Sequence, residues 1–395
     1  MSTPFYLTAL GLCCALGNSK ETVWANAVAA SRAGMQLRKG FLPDDKALVV
    51  GEVTAALPDS SSWPAQFRTR NNQLAALAFS QIATEVTALR QQYGASRIAV
   101  VLGSSTSGIA EGEQALIAHQ AGHGFDDSFY YQMQEMSAPA EFISYLAGAT
   151  GPAYTLSTAC SSSARALLSA ASLLQAGLAD VVITGGVDSL CRLTLQGFSA
   201  LEAVSAGWSQ PFSANRDGIN IGEAAALFVM QKSGNGIALL GGGSSSDAHH
   251  MSAPHPEGLG AIAAITQACT NAAITPAQLD YINLHGTATA LNDSMESAAI
   301  AALGLQQTAA SSSKSLTGHT LGAAGALEAA LCWLTLSDYN QQHYLLPHSW
   351  DGVADPALPA LNLVPMGQVK KVRYCLSNSF AFGGNNVALI LGNTA

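Results

Sequence analysis

Short runs of β-branched and other apolar residues alternate along this chain with longer stretches rich in Ala and Leu. The runs at Ile98–Leu102, Asp180–Thr184, Ala225–Gln231, Tyr281–Leu284, Tyr374–Ser377 and Val387–Leu391 predict strands. The stretches at Asn72–Gln91, Ser161–Ala176, Gly260–Ala272, Ser294–Leu303 and Gly322–Ser337 predict helices. Gly177 stands just past the second of these, where a left-handed residue closes a helix, and a strand follows directly. Tyr6–Leu16 has the apolar character of a leader segment, but no basic residue precedes Lys20, so it reads as a first buried strand and its turn. The alternation predicts an α/β fold with sheets covered by helices. A stretch rich in Gly, Ser, His and Pro at Leu240–Gly258 reads as a loop dividing the chain into residues 1–240 and 241–395. Each part holds a strand, a helix with a reactive-looking residue, and a further strand.

Composition sharpens this picture. Of 395 residues, 49% are hydrophobic and only 11% charged, well below the roughly 25% usual in soluble domains. The chain therefore buries a large core of small side chains, and disorder is excluded. So few charges also cover the surface poorly, which predicts an oligomer. A net charge of −9 without any Lys/Arg run speaks against nucleic acid as a partner. No apolar window is long enough for a transmembrane helix. Seven cysteines, an odd number with no CxxC, read as reduced thiols of a cytoplasmic protein and not as a disulfide frame or zinc site. No Walker loop, no GxGxxG after a strand and no GxSxG occurs.

One cysteine stands apart. Cys160 ends a SerThrAlaCys run and opens the Ala/Leu helix, where exposed backbone N–H groups and the positive dipole end favour a thiolate. His285 follows a strand within NLHGTATALND at 283–293, and a glycine follows it for a tight turn. Lys314, His319 and Glu328 share SSSKSLTGHTLGAAGALE at 311–328. A nucleophile, two histidines flanked by Gly and Thr, and a lysine form a coherent catalytic set. The turn in SNSFAFGGNN at 377–386 brings backbone N–H groups where an oxyanion needs them.

With TAC at 158–160, GGVDSL at 185–190, QPFSANRDGINIGEAAA at 210–226, SSSDAHHMSAPHPEG at 244–258, HGTAT at 285–289 and KSLTGHTLGAAGALE at 314–328, the chain resembles a β-ketoacyl-acyl carrier protein synthase of the Cys-His-His elongating type. The resemblance runs in order from first strand to last. It implies a thiolase-like five-layered αβαβα fold with two related halves, a dimer, and no organic cofactor. It implies that Cys160 takes the acyl chain as a thioester and that His285 and His319 bind and decarboxylate a malonyl thioester. Lys314 orients this set and pairs with Glu328, while the backbone N–H groups of Cys160 and Phe382 form the oxyanion hole. Thr287 and Thr289 match positions that bind the pantetheine arm, Phe380 belongs to the gate, and Ile109 and Phe198 match acyl-pocket positions. The implied partners are an acyl carrier protein and a second subunit, either identical or a related chain-length factor.

Departures from the family pattern point to a specialised branch, and polyene or aryl-polyene elongation is the reading favoured. The segment after Phe198 is short, Ala381 replaces a usual glycine of the gate, and Glu202 lies near a position where relatives offer a basic contact. Arg68 and Arg70 are taken as a docking patch for an acidic carrier, since basic residues are otherwise scarce; the alternative is that they only cap a helix. Asp247, His249, His250 and His255 resemble a metal cluster but read as structural, and no metal is expected. Three alternatives have distinct signatures. A thiolase needs a second reactive Cys in its C-terminal turn, a starter-type synthase has Asn where His319 stands, and a noncatalytic chain-length subunit lacks the nucleophile.

Overall fold

The computed structural model of the chain describes residues 4–394. Ten strands form the main sheet: β1 (Phe5–Cys13), β2 (Ile98–Gly103), β3 (Ala153–Leu156), β4 (Val181–Asp188), β5 (Ala224–Gln231), β6 (Ile237–Ser246), β7 (Tyr281–Asn283), β8 (Ala309–Ser311), β9 (Tyr374–Ala381) and β10 (Asn385–Asn393). Their order is β8-β7-β9-β10-β6-β1-β5-β4-β2-β3. The two ends of that order carry one design. From β1 outward the pairings are antiparallel to β5, antiparallel to β4, parallel to β2 and parallel to β3. From β6 outward they are antiparallel to β10, antiparallel to β9, parallel to β7 and parallel to β8. Within the sheet, the halves meet where Phe5 and Tyr6 pair with Leu239 and Ala238.

Strand periodicity sorts side chains into three layers of core. Ile98, Val100, Leu102, Val181 and Ile183 pack outward with the helices Arg70–Ser80 and Ala138–Ala147. Val101, Val182 and Phe228 point inward, as do Cys375, Leu389 and Leu391 of the other half, onto the helices Ser162–Gln175 and Ala324–Leu336. Leu376, Ala388 and Ile390 face the helices Leu259–Asn271 and Ala290–Ala302. Helix, sheet, helix pair, sheet and helix give the five-layered αβαβα arrangement expected. The central pair can share one layer because its seam is made of small residues: a Cβ on Gly325 would lie 2.7 Å from that of Ala164. The Ser163 hydroxyl crosses the seam and accepts the Ala326 N–H at 2.8 Å.

Two expectations need correction. The loop placed at Leu240–Gly258 begins inside β6, so a boundary at 240 cuts a strand, and the topological repeat starts at Ile237. The run Gly241–Gly243 helps this stretch read as a loop, but its glycines serve close packing. A Cβ on Gly243 would sit 2.0 Å from Ala264 O, and one on Gly241 2.4 Å from Ala268 O, both in the helix covering the strand. The helix expected over Asn72–Gln91 is two, Arg70–Ser80 and Ala83–Tyr93. The side chain of Gln81, at the break, bridges Leu12 N, Leu12 O and Asn18 O, tying the corner to the first strand and its turn.

Candidate active site

Cys160 lies one residue ahead of the N-cap Ser161 of the helix Ser162–Gln175. Ala159 before it holds φ at +51°, a left-handed kink that turns the chain sharply between β3 and the helix. The serines that follow fix that kink: the Ser162 hydroxyl donates to Ala159 O and accepts the Thr158 N–H, and the Ser161 hydroxyl donates to Thr158 O. Ser105 adds a bond from its hydroxyl to Ala159 O.

The histidines come from the other half. His285 follows β7, and the Glu296 carboxylate accepts its N–H and that of Gly286, both at 2.8 Å. Asp293 accepts the N–H groups of Thr287 and Ala288. Asn378 of β9 donates to Glu296. Burial pushes Glu296 up to about 7 and Asp293 up to about 6, against the lowering effect of these donors. Both acids were missed from the sequence as site supports. Their signal was present, since they stand three apart at the start of the helix that follows the HGTAT motif. His319 is held through its backbone by Asn220 O and Gly222 N.

These elements bring a sulfur and two imidazoles to one point. Ligand-type atoms of Cys160, His285 and His319 all lie within 4.8 Å of one another, and the rings stand edge to face with centroids 5.3 Å apart. All three residues are buried. Behind them, Lys314 Nζ donates to Glu328 Oε1 and His285 O, and lies 3.4 Å from His285 Nδ1. A lysine ammonium facing Nδ1 makes that nitrogen an acceptor, so the proton of neutral His285 sits on Nε2.

The expectation of a thiolate at rest is not met. Burial drives the Cys160 thiol up to about 11, against the opposing influence of the Lys314 charge and the Phe382 N–H. That shift opposes the thiolate by roughly 3 kcal/mol. A helix end contributes only ~0.3–1 kcal/mol, so it cannot prevail in a dry site. Cys160 is a thiol until a base removes its proton.

Burial first, and the Lys314 charge second, hold both histidines well below the usual 6.5, so each is neutral near neutrality. A neutral imidazole loses its acceptor only when pH falls through that depressed value. NMR titration of the two imidazoles should therefore show both still neutral as pH drops through 6.5, and protonation of either centred there would contradict this electrostatic picture.

Glu328 is pushed up to about 7 by burial, with Lys314 opposing. Removing one member of this buried pair leaves the other uncompensated. Lys314→Met is expected to cost ~3–5 kcal/mol of stability, and Lys314→Met with Glu328→Gln less than that. Equal losses for single and double variants in denaturant titrations would show that the pair is not coupled.

A pocket of about 320 Å³ leads to this cluster. Thr287 and Thr289 line it with hydroxyls 3.0 Å apart, as do Phe380, Phe382 and Phe198. Phe198 packs on Phe382 at 5.5 Å. Ala381 ends β9, and the gate turn follows at Phe382–Gly384 with its Gly383 N–H bonded to Met251 O. Ile109 departs from expectation: it opens the helix Ile109–Gln120, beyond the turn at 104–108, and does not line the pocket.

The two arginines expected to dock the carrier differ in their surroundings. Arg70, its side chain 35% exposed, grips the buried Glu223 carboxylate with two nitrogens, at 2.5 and 2.9 Å, so its charge is paired. Arg68 is exposed and donates to Trp63 O, and neither arginine lines the pocket. Asp247 accepts the His255 N–H and the Asn386 amide, which joins its loop to β10 as a structural bond. Cys375 is buried within β9, away from the gate turn where a thiolase needs its second cysteine.

Residues 6–235 match the family model described as beta-ketoacyl synthase, N-terminal domain, and residues 237–344 match beta-ketoacyl synthase, C-terminal domain. The chain belongs to the beta-ketoacyl synthase family. Such ketosynthases are acyltransferases. The 3-oxoacyl-[acyl-carrier-protein] synthase 2 of Rhizobium meliloti is 30% identical over 423 residues, covering 98% of this chain and 97% of that protein. The solved structure of ketosynthase ApeO in complex with its chain length factor ApeC from Xenorhabdus doucetiae contains a chain 44% identical to this one. It superposes with a TM-score of 0.95, covering 99% of this chain and 98% of that one. The ishigamide ketosynthase/chain length factor structure matches at 25% identity and a TM-score of 0.88 over the whole of both chains.

Proposed function

We propose that this ketosynthase joins an acyl group held on Cys160 to the two-carbon unit of malonyl-acyl carrier protein, releasing CO2 and a β-ketoacyl-acyl carrier protein. The observation that carries this reading is the buried convergence of one thiol and two neutral imidazoles within 4.8 Å. Acyl transfer begins as an imidazole takes the Cys160 proton and the sulfur attacks the incoming thioester carbonyl. The C–S bond to the carrier breaks, and its sulfur leaves with that proton as a thiol. The backbone N–H groups of Cys160 and Phe382 hold the tetrahedral oxyanion.

Malonyl then enters, with Thr287 and Thr289 along its arm. Breaking its carboxylate C–C bond leaves the electron pair as an enolate, whose oxygen faces the two imidazole N–H donors. The enolate carbon attacks the Cys160 thioester, a C–C bond forms, and the cysteine sulfur departs to be reprotonated. Lys314 and Glu328 act behind this, fixing the tautomer of His285.

We assign the chain to a specialised branch of chain elongation, polyene or aryl-polyene, working beside a chain-length factor. The support is 44% identity to a chain of the ApeO–ApeC structure. The presence of Cys160 in the pocket favours the ketosynthase role over that of the factor. We read the two halves as divided just before Ile237 and not at 240, the first carrying Cys160 and the second Lys314, His285 and His319. A cytoplasmic setting is supported by seven buried, unpaired cysteines. No helix among the described residues is long and apolar enough to cross a membrane. A reconstituted reaction with acyl- and malonyl-loaded carriers tests the function: CO2 and β-ketoacyl carrier should appear together. Acyl exchange without malonyl consumption would refute it.

A further inference from the structure

The opening of the Cys160 pocket has an unexpected character. Leu201 and Leu291 line it and are 59% and 61% exposed, and Met251, beside the lining residue Ser252, is 81% exposed. Single exposed leucines are ordinary on protein surfaces, but here two line one opening and an exposed methionine is the next residue to a third lining position. The charges there tell the same story. The one cation lining the pocket, Arg216, is paired with Asp355 at 2.6 Å and its side chain is only 10% exposed. Glu202 and Asp217 also line the pocket, and Glu202 is exposed. Arg70, the other expected docking cation, is held by Glu223.

We infer that the carrier protein docks on this chain through the apolar rim of Leu201, Met251 and Leu291, with little help from positive charge. The inference rests on the proposed function, because Cys160 is only 5% exposed and a substrate must reach it on a tethered arm. The body bearing that arm sits where the arm enters, over the rim. Its matching face is apolar, and any charged group it sets beside Glu202 is basic. Apolar contacts are not screened by salt, whereas attraction between exposed charges fades beyond about 8 Å at physiological ionic strength.

The test measures binding of fluorescently labelled malonyl-acyl carrier protein to Cys160→Ala protein by anisotropy, at low and high salt. Binding is read without turnover, so a failure of the catalytic reading leaves it intact. Leu291→Asp and Leu201→Asp should each weaken binding roughly tenfold, as loss of a central apolar anchor does. Glu202→Lys should weaken binding or leave it level, Arg68→Glu should change it less than about twofold, and salt should have little effect. A steep loss with salt accompanied by a large Arg68→Glu effect would overturn the inference. So would leucine variants that bind like the parent with unchanged melting temperatures. Normal binding with no condensation by the Cys160 protein would contradict the proposed function alone.

Discussion

Cys160→Ala protein should neither load acyl chains nor condense them, while folding and melting like the parent. The alanine keeps the Cβ and removes only a thiol whose neighbours, the Ala159 kink and the Ser161–Ser162 bonds, are maintained without it. Exchanging a small buried thiol for a methyl costs little packing. The chemical loss is complete because no other cysteine lines the pocket. Intact mass spectrometry after incubation with acyl carriers decides it, and a normal adduct on the variant would remove Cys160 from the account.

The second large effect concerns the imidazole pair. His285→Ala and His319→Ala should each slow malonyl decarboxylation by about two orders of magnitude, near 3 kcal/mol, as loss of one fixed oxyanion donor does in a site closed to water. Acyl loading should fall less in His285→Ala protein, because His319 can still take the thiol proton, whereas the acceptor nitrogen of His285 faces Lys314. Both rings are neutral and dry, so neither is replaced by solvent. CO2 release and acyl loading, measured separately, give the answer; a loss confined to loading would reverse the division of labour.

Much of this was legible in the chain. Continuous apolar runs such as β2 and β5 were found because both their faces are buried and nothing in them reads as a turn. Short β3 and β8 were missed, since Ala153–Leu156 and Ala309–Ser311 have little apolar signal and are strands only through pairing. β6 was misread because glycine that serves a close helix contact looks like glycine that serves a turn. Among candidate site residues, motifs pointed to Cys160, His285, Lys314, His319 and Glu328, which the fold brings together. The state of Cys160 was not legible, because helix position is written in sequence and desolvation is not. The pairing of Arg70 was not legible for a similar reason: its partner Glu223 lies 153 positions away in the chain.

The most direct test of the central claim follows one acyl group through a single turnover. Wild-type protein is loaded from an acyl carrier, freed of excess substrate, and then given malonyl-acyl carrier protein while protein and carrier are weighed by mass spectrometry. The account predicts an adduct that maps to the Cys160 peptide, then leaves it as the carrier gains that acyl group plus two carbons and CO2 is released. An adduct on another residue, or an acyl group shed as free acid without elongation of the carrier, would contradict it.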